Sequence, residues 1–150
     1  MIRELLATAP TWVTLPLRLA LGIIFIGHGA QKVFGVWGGP GWSKFVGFPP
    51  PYGFMRPAWL WMGAAAVVEL LGGVLVLLGL FTRVGAFLIG VVMLVAMFGV
   101  HWKNGLFLPT GYEYTLALVG MAAALVVAGG GRASVDERLH GARGRRKIKY

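Results

Sequence analysis

The sequence predicts an all-α integral membrane protein, an antiparallel bundle of four transmembrane helices with both termini in the cytoplasm. Of the 150 residues, 57% are hydrophobic, 13% are charged and 24 are glycine, whereas a soluble domain is about one quarter charged. A high apolar content with frequent glycine is typical of helices that pack in lipid. In addition, four stretches approach the roughly 20 apolar residues that a bilayer span needs.

The four predicted spans follow one another along the chain. The first covers about 13–34, and no small-residue cleavage site follows it, so we interpret it as an uncleaved anchor. The second covers about 57–80, and a proline and a glycine mark its ends. The third, 82–101, follows so closely that the second and third helices must be antiparallel neighbours. The fourth covers about 112–130.

Basic residues predict the orientation of these spans. Seven of the 14 lysines and arginines lie in the last nineteen positions, and Arg3 and Arg83 fall on the same side of the membrane as that segment. Lys44, Arg56 and Lys103 fall on the opposite side. The positive-inside rule therefore places both termini in the cytoplasm.

The chain divides into a helical membrane domain at 1–136 and a basic cytoplasmic tail at 137–150. Such a tail meets anionic lipid more often than nucleic acid, so we expect membrane lipids as partners and no nucleic acid. Residues 132–150 are polar and interrupted by glycine, and we expect them to stay outside the bundle and to be helical only in part. The absence of cysteine excludes a Cys-ligated zinc site and an iron–sulfur cluster held by this chain.

The connection at 35–57 is long and mixes aromatic residues with glycine and proline. One interpretation is an aromatic belt at the membrane interface. The other is a lid over an opening between helices. The sequence leaves both open.

Ionisable residues inside the spans are the strongest functional signal, because a charge at the bilayer centre costs at least ~2.5 kcal/mol. At 100° per residue, Arg18, His28 and Lys32 share one face of the first helix, and Glu69 lies among small residues of the second. These faces should point into the bundle. Arg18 lies deepest toward the cytoplasm, where it either reaches the inner surface or pairs with Glu69.

Four of the ionisable residues fall at a similar depth in the outer half of the bundle: His28, Lys32, His101 and Glu113. We therefore expect a polar pocket in the outer half, with Glu69 near its floor. Three structural interpretations stay open. The charges form a network that only fixes helix register, His101 is an interfacial residue, and Arg83 anchors the protein to lipid headgroups.

The chain resembles the DoxX family of small four-helix bacterial membrane proteins. The resemblance rests on R-x3-G-x5-HG-x2-K at 18–32, E-x2-GG-x5-G-x3-R at 69–83 and G-Y-E at 111–113, and it covers about residues 10–136. It implies a multi-pass protein of the bacterial inner (plasma) membrane. It also implies a membrane component of a redox or oxidative-stress system.

The leading functional hypothesis is a redox-associated subunit that binds a quinone-like molecule in the polar pocket. A quinone needs hydrogen-bond donors at its carbonyls and a proton donor nearby. No electron carrier is evident in the chain, so a redox partner protein would supply electrons. The candidate residues are Glu69, His28 and Glu113 as catalytic groups, and Lys32, His101, Phe25, Phe87 and Arg18 as ligand-binding groups.

The alternative hypothesis is a non-enzymatic accessory or scaffold subunit that docks a partner protein. The third and least favoured hypothesis is a haem held by His28 and His101, and we expect neither haem nor a metal. The sequence leaves open whether the chain is catalytic and whether it forms a homo-oligomer.

Overall fold

The structure, a computed structural model, describes residues 2–107 and 109–139, and every regular element in those ranges is a helix. A π-helical turn at Met97–His101 and a 3-10 turn at Trp102–Asn104 continue the helix Thr82–Ala96. Another 3-10 turn lies at Val36–Gly38, and residues 135–139 are helical. The helices are α1 (Ile2–Leu5), α2 (Thr14–Phe34), α3 (Gly41–Phe45), α4 (Ala58–Leu78), α5 (Thr82–Ala96) and α6 (Glu113–Ala128).

Within the described residues, three helices are long and apolar enough to cross a membrane: Thr14–Phe34, Ala58–Leu78 and Thr82–Asn104. The expectation of an all-helical, membrane-like chain is thereby confirmed. The fourth predicted span is a 16-residue helix, α6, which is shorter than the ~20 residues of a typical span. A fourth crossing and the cytoplasmic placement of the termini stay predictions.

Close backbone approach holds α2 against α4. A Cβ added at Gly22 would lie 2.8 Å from the Cβ of Leu77, and one added at Gly29 would lie 2.5 Å from the backbone nitrogen of Leu70. Glycine at both positions removes these clashes, as is common where membrane helices pack. Because the earlier residue of α2 meets the later residue of α4, the two helices are antiparallel.

The other helices complete a helical body made of α2, α4, α5 and α6. The three-residue connection 79–81 turns the chain from α4 into α5, and α5 in turn packs on α6. Bulky apolar side chains from all four helices meet in one buried cluster, whose larger members are Leu21, Phe25, Val76, Ile89, Met93, Leu118 and Leu125.

Three separate segments, 7–14, 79–82 and 129–136, meet at one end of the helical body, which we call the terminal end. The backbone amide of Ala9 donates to the carbonyl of Ala128 at 2.8 Å, and that of Asp136 donates to the carbonyl of Gly79 at 2.9 Å. Ser134 and Asp136 are 2% and 1% exposed. The expectation that the chain leaves the bundle at residue 132 is therefore wrong for 132–136. Most of the predicted basic tail, 140–150, lies outside the described residues.

The opposite end of the helical body carries the connections 35–57 and 102–112, and we call it the loop end. The long connection packs on the helices through Trp42, which lies against Gly63, and through Pro51 and Tyr52, which lie against Gly99. Two of its apolar side chains, Phe45 and Met55, are 7% exposed each. This connection is therefore folded onto the helical body.

Candidate functional site

A cavity of about 680 Å³ lies in the loop-end half of the helical body. Small-molecule pockets in proteins typically measure ~300–1,000 Å³ and are mostly apolar with a few polar groups. All four helices of the body and the long connection contribute to its wall, and most of the lining side chains are apolar. The polar lining residues are His28, Lys32, Glu69, His101, Tyr114 and Thr115.

An ion pair between α2 and α4 forms part of the cavity wall. The ammonium of Lys32 donates to Oε2 of Glu69, and the two side chains are 20% and 5% exposed. The Lys32 nitrogen also lies 5.5 Å from the ring centroid of Phe45, within the range of a cation–π contact. Removing either partner of such a pair leaves the other charge without a counter-charge, which destabilises the fold.

The order of residues in α2 explains how this pair forms. His28 and Lys32 are four residues apart and therefore share one face of the helix. Gly29 sits between them and allows the backbone of α4 at Leu70 to lie against α2. That close approach brings Glu69, the residue before Leu70, within reach of Lys32.

His101 reaches the cavity from the end of the α5 extension. It closes the π-helical turn Met97–His101, and single π-helical turns occur frequently at functional sites. Its Nδ1 lies 3.0 Å from the carbonyl oxygen of Thr110. Since a carbonyl can only accept, Nδ1 is the donor in this contact. The connection after α5 thus orients the ring.

The structure places Arg18 away from the cavity. It corrects the two alternatives expected for this side chain, which were exposure at the inner surface and pairing with Glu69. Its side chain is 2% exposed and donates to four backbone carbonyls. Nε and Nη2 bond the carbonyls of Val76 and Leu77 at 3.0 and 2.8 Å, and Nη1 bonds those of Gly130 and Ala133 at 3.0 and 2.8 Å. These carbonyls belong to the last turn of α4 and to the turn after α6. Arg18 therefore supplies hydrogen-bond donors to the C-terminal end of α4 and to the turn that follows α6.

Two further predicted site residues lie outside the cavity. Phe87 is 58% exposed, and the lining of α5 begins one residue later at Leu88. Glu113 is half-buried at the start of α6, whereas the next two residues, Tyr114 and Thr115, line the cavity. The structure thus brings together His28, Lys32, Glu69, His101 and Phe25, and leaves out Arg18, Phe87 and Glu113.

Arg83 is likewise held by the protein backbone. Its Nε donates to the carbonyl of Ala7 at 2.9 Å and its Nη1 to that of Val126 at 2.7 Å. The expected headgroup anchor is instead a link between α5, the last turn of α6 and the segment after α1.

Sequence reasoning missed several cavity residues. Phe45, Pro51 and Met55 of the long connection line the wall, which agrees with the lid interpretation of that connection. Nothing in their local sequence separates them from the other aromatic and apolar residues around them. Tyr114 could have been found from its place beside Glu113 at the opening of α6.

The chemistry available in the cavity is that of a polar corner in an apolar space. The ammonium of Lys32, the carboxylate of Glu69 and the imidazole of His28 can hydrogen-bond a polar head group and exchange a proton with it, and the imidazole of His101 lines the same cavity. Across the described part of the chain, no group of three or more His, Asp or Glu side chains is placed to hold a metal ion.

Comparison with known proteins gives the chain a family. The family model of DoxX matches residues 13–102. The chain belongs to the DoxX family. The matched range contains the ion pair and both cavity histidines and ends before α6.

Two curated relatives resemble this DoxX protein over most of their length. The first, named "Putative oxidoreductase CatD", is from Bacillus subtilis and is 32% identical over 112 residues, which cover 75% of this chain and 77% of the relative. The second is an uncharacterized protein from Haemophilus influenzae, 33% identical over 130 residues, which cover 81% of this chain and 87% of the relative. No solved structure matches the chain significantly.

Proposed function

We propose that this DoxX protein is a membrane subunit of a redox or oxidative-stress system and that it binds a quinone-like lipophilic molecule in the loop-end cavity. The observation that carries the proposal is an apolar cavity of about 680 Å³ with the Lys32–Glu69 pair and His28 in its wall. Family membership and the similarity to a relative named "Putative oxidoreductase CatD" support the redox-associated role.

The cavity residues have different roles in such a site. Lys32 donates a hydrogen bond to one carbonyl of the bound ring, while Glu69 and His28 hold and deliver protons. Phe25, which is 1% exposed, packs against the ring. Reduction of a quinone consumes electrons as well as protons, and in this proposal a partner redox protein supplies the electrons. The protein's own residues serve binding, orientation and proton transfer, and neither haem nor a metal is part of the proposal.

The same proposal places the chain in the bacterial inner membrane with four spans and with the terminal end in the cytoplasm. In support, segments 7–14, 79–82 and 129–136 meet at one end, and the basic tail begins there. The cavity then lies in the outer half. A reporter that is active only in the cytoplasm should work after Tyr150 and fail near Lys44; the reverse pattern would place the cavity in the inner half.

One observation favours a second function, that of a scaffold subunit that docks a partner protein. The Lys32–Glu69 pair joins α2 to α4, and an ion pair in that position can fix helix register without any ligand. On this alternative the cavity is filled by lipid, and the charges matter only for folding.

Titration of the protein in lipid nanodiscs with a short-chain benzoquinone separates the two functions. Trp61 lines the cavity, so quenching of tryptophan fluorescence reports binding. We expect saturable binding that weakens about tenfold in Glu69→Gln, because the Lys32 ammonium loses the carboxylate that positions it for its hydrogen bond to the ring carbonyl. The matched control Glu137→Gln removes the same charge at the terminal end and should leave binding unchanged. Wild-type binding by a stable Glu69→Gln protein would favour the scaffold.

A further inference from the structure

The packing between α4 and α5 changes along their length. In the terminal half the two backbones nearly touch, since a Cβ added at Gly85 would lie 3.2 Å from the carbonyl oxygen of Gly72. Toward the loop end, small residues of α4, Ala64 and Ala65, and residues of α5 line the same cavity. Space therefore remains between the two helices in that half.

This space reaches the outer surface of the helical body. Several side chains that line the cavity are also exposed, with Trp61, Val91 and Val100 at 43% each and Leu88 at 38%. Ala64 is exposed as well and lines the cavity beside them. We call the opening formed by these residues the α4–α5 cleft: Trp61, Ala64, Leu88, Val91 and Val100.

The α4–α5 cleft differs in chemistry from the rest of the cavity wall. All five of its residues are apolar, and α4 and the continuous helix Thr82–Asn104, which contains α5, are long enough to span a membrane. An exposed apolar surface on such helices faces lipid tails. The polar groups Lys32, Glu69 and His28 come from α2 and from a different face of α4. The cavity therefore connects the polar groups of Lys32, Glu69 and His28 to the lipid-facing α4–α5 cleft.

A second groove on the body offers a weaker alternative. It measures about 340 Å³, lies between α2 and α6, and shares His28 and Tyr114 with the main cavity. Its wall also includes the amide side chain of Gln31. Polar groups along this groove make it a poorer match for a hydrocarbon chain than the α4–α5 cleft.

We propose that the bound molecule is an amphiphile with one long apolar chain, whose head lies at the Lys32–Glu69 pair and whose chain occupies the α4–α5 cleft and continues into the membrane. This inference rests on the proposed function and adds the ligand's shape and its direction of entry. Lipid tails are as apolar as the cleft, so the chain gains little affinity from being there. Blocking the cleft, however, should exclude it.

The test compares two benzoquinones with the same ring, one with a methyl group and one with a ten-carbon chain, in nanodiscs. Ala64→Phe fills the cleft, and Ala117→Phe makes the same change at an exposed position of α6 outside the cavity. We expect Ala64→Phe to weaken binding of the long-chain quinone about tenfold, as overpacking of a filled site does. Binding of the methyl quinone should change less than twofold. Ala117→Phe should alter neither.

A photoreactive diazirine at the end of the ten-carbon chain locates the chain directly. We expect cross-links to Leu88, Val91 and Trp61, and we expect an excess of the methyl quinone to displace them. Cross-links on α2 and α6, or an equal loss of both quinones in Ala64→Phe, would overturn the cleft assignment while leaving the proposed function standing. Failure of both quinones to bind the wild-type protein would overturn the proposed function itself. A dimer that dissociates in Ala64→Phe would show that a second copy covers the cleft.

Discussion

The two ends of the helical body use buried charge in opposite ways. At the terminal end, Arg18 and Asp136 are 2% and 1% exposed, and their charged atoms bond the backbone. At the loop end, Lys32 and Glu69 bond each other at the wall of a cavity, beside an exposed His28. The loop-end groups thus adjoin a space that a ligand could fill.

Helix ends explain the terminal arrangement. The last carbonyls and first amides of a helix have no partner within it and carry partial negative and positive charge, respectively. Arg18 meets the carbonyl end of α4, and Arg83 meets that of α6. Asp136 accepts from the amides of Phe81 and Thr82, at 2.7 and 2.9 Å, at the start of α5. The ionisable groups of the terminal end therefore stabilise helix ends and loops.

The largest expected effect is the loss of Arg18. Arg18→Met removes a donor from four backbone carbonyls. Those of Val76 and Gly130 keep the Gly79 amide and the Thr14 hydroxyl as donors, whereas those of Leu77 and Ala133 lose the donor that Arg18 supplies, at about 1–3 kcal/mol each. We therefore expect the substitution to lower the free energy of unfolding by about 3 kcal/mol or more. Arg18→Lys should recover only part of this, because an ammonium lacks the planar fork of donors. Unfolding in detergent micelles measures both. A stable Arg18→Met protein with impaired quinone binding would return Arg18 to the ligand site.

The second effect concerns the ion pair. Lys32→Met or Glu69→Ala alone should cost up to about 3 kcal/mol of unfolding free energy, because each leaves a charge in the cavity wall unpaired. The cost is below the ~3–5 kcal/mol of a fully buried pair, since the Lys32 side chain is 20% exposed. The double variant Lys32→Met/Glu69→Met should be close to the wild type in stability, because it removes both charges together. It should nevertheless bind no quinone. Full quinone binding by a stable double variant would show that the pair only fixes the register of α2 against α4.

The third effect is smaller and tests the α5 cap. Asp136→Ala removes three acceptor contacts, to the amides of Phe81 and Thr82 and to the Thr82 hydroxyl. Loss of a helix N-cap typically costs about 0.5–2 kcal/mol. We expect a loss in that range with quinone binding unchanged, measured on the same sample. Weaker quinone binding at unchanged stability would show that the two ends are coupled.

The smallest effect is expected from removal of 142–150. The contacts that hold the terminal end together come from residues up to 136, so we expect the shortened protein to unfold like the full-length chain. Its binding to vesicles that contain anionic lipid should weaken, by roughly 1 kcal/mol for each basic residue that lies near the surface. A large loss of stability on this truncation would show that the tail is part of the fold.

Much of the candidate site could be predicted because its residues lie on regular helices. A 100° rotation per residue places His28 and Lys32 on one face, and the short turn after α4 makes its neighbour antiparallel. A position on the inward face of a helix does not, however, specify how deep a side chain lies in the bundle or which group it contacts. Phe87 precedes the cavity lining by one residue and is exposed, and Glu113 begins α6 beside two residues that line the cavity.

The sequence by itself determined the helical, membrane-like character of this DoxX protein, because apolar content, glycine frequency and span length are local properties that lipid selects directly. It also determined which helix faces carry charge. Only the tertiary structure decided which charges support the fold and which adjoin the cavity. The partners of Arg18 are backbone carbonyls, which every residue possesses and no sequence pattern marks. The wall formed by Phe45 and Met55 likewise depends on how a long connection folds back onto the helices.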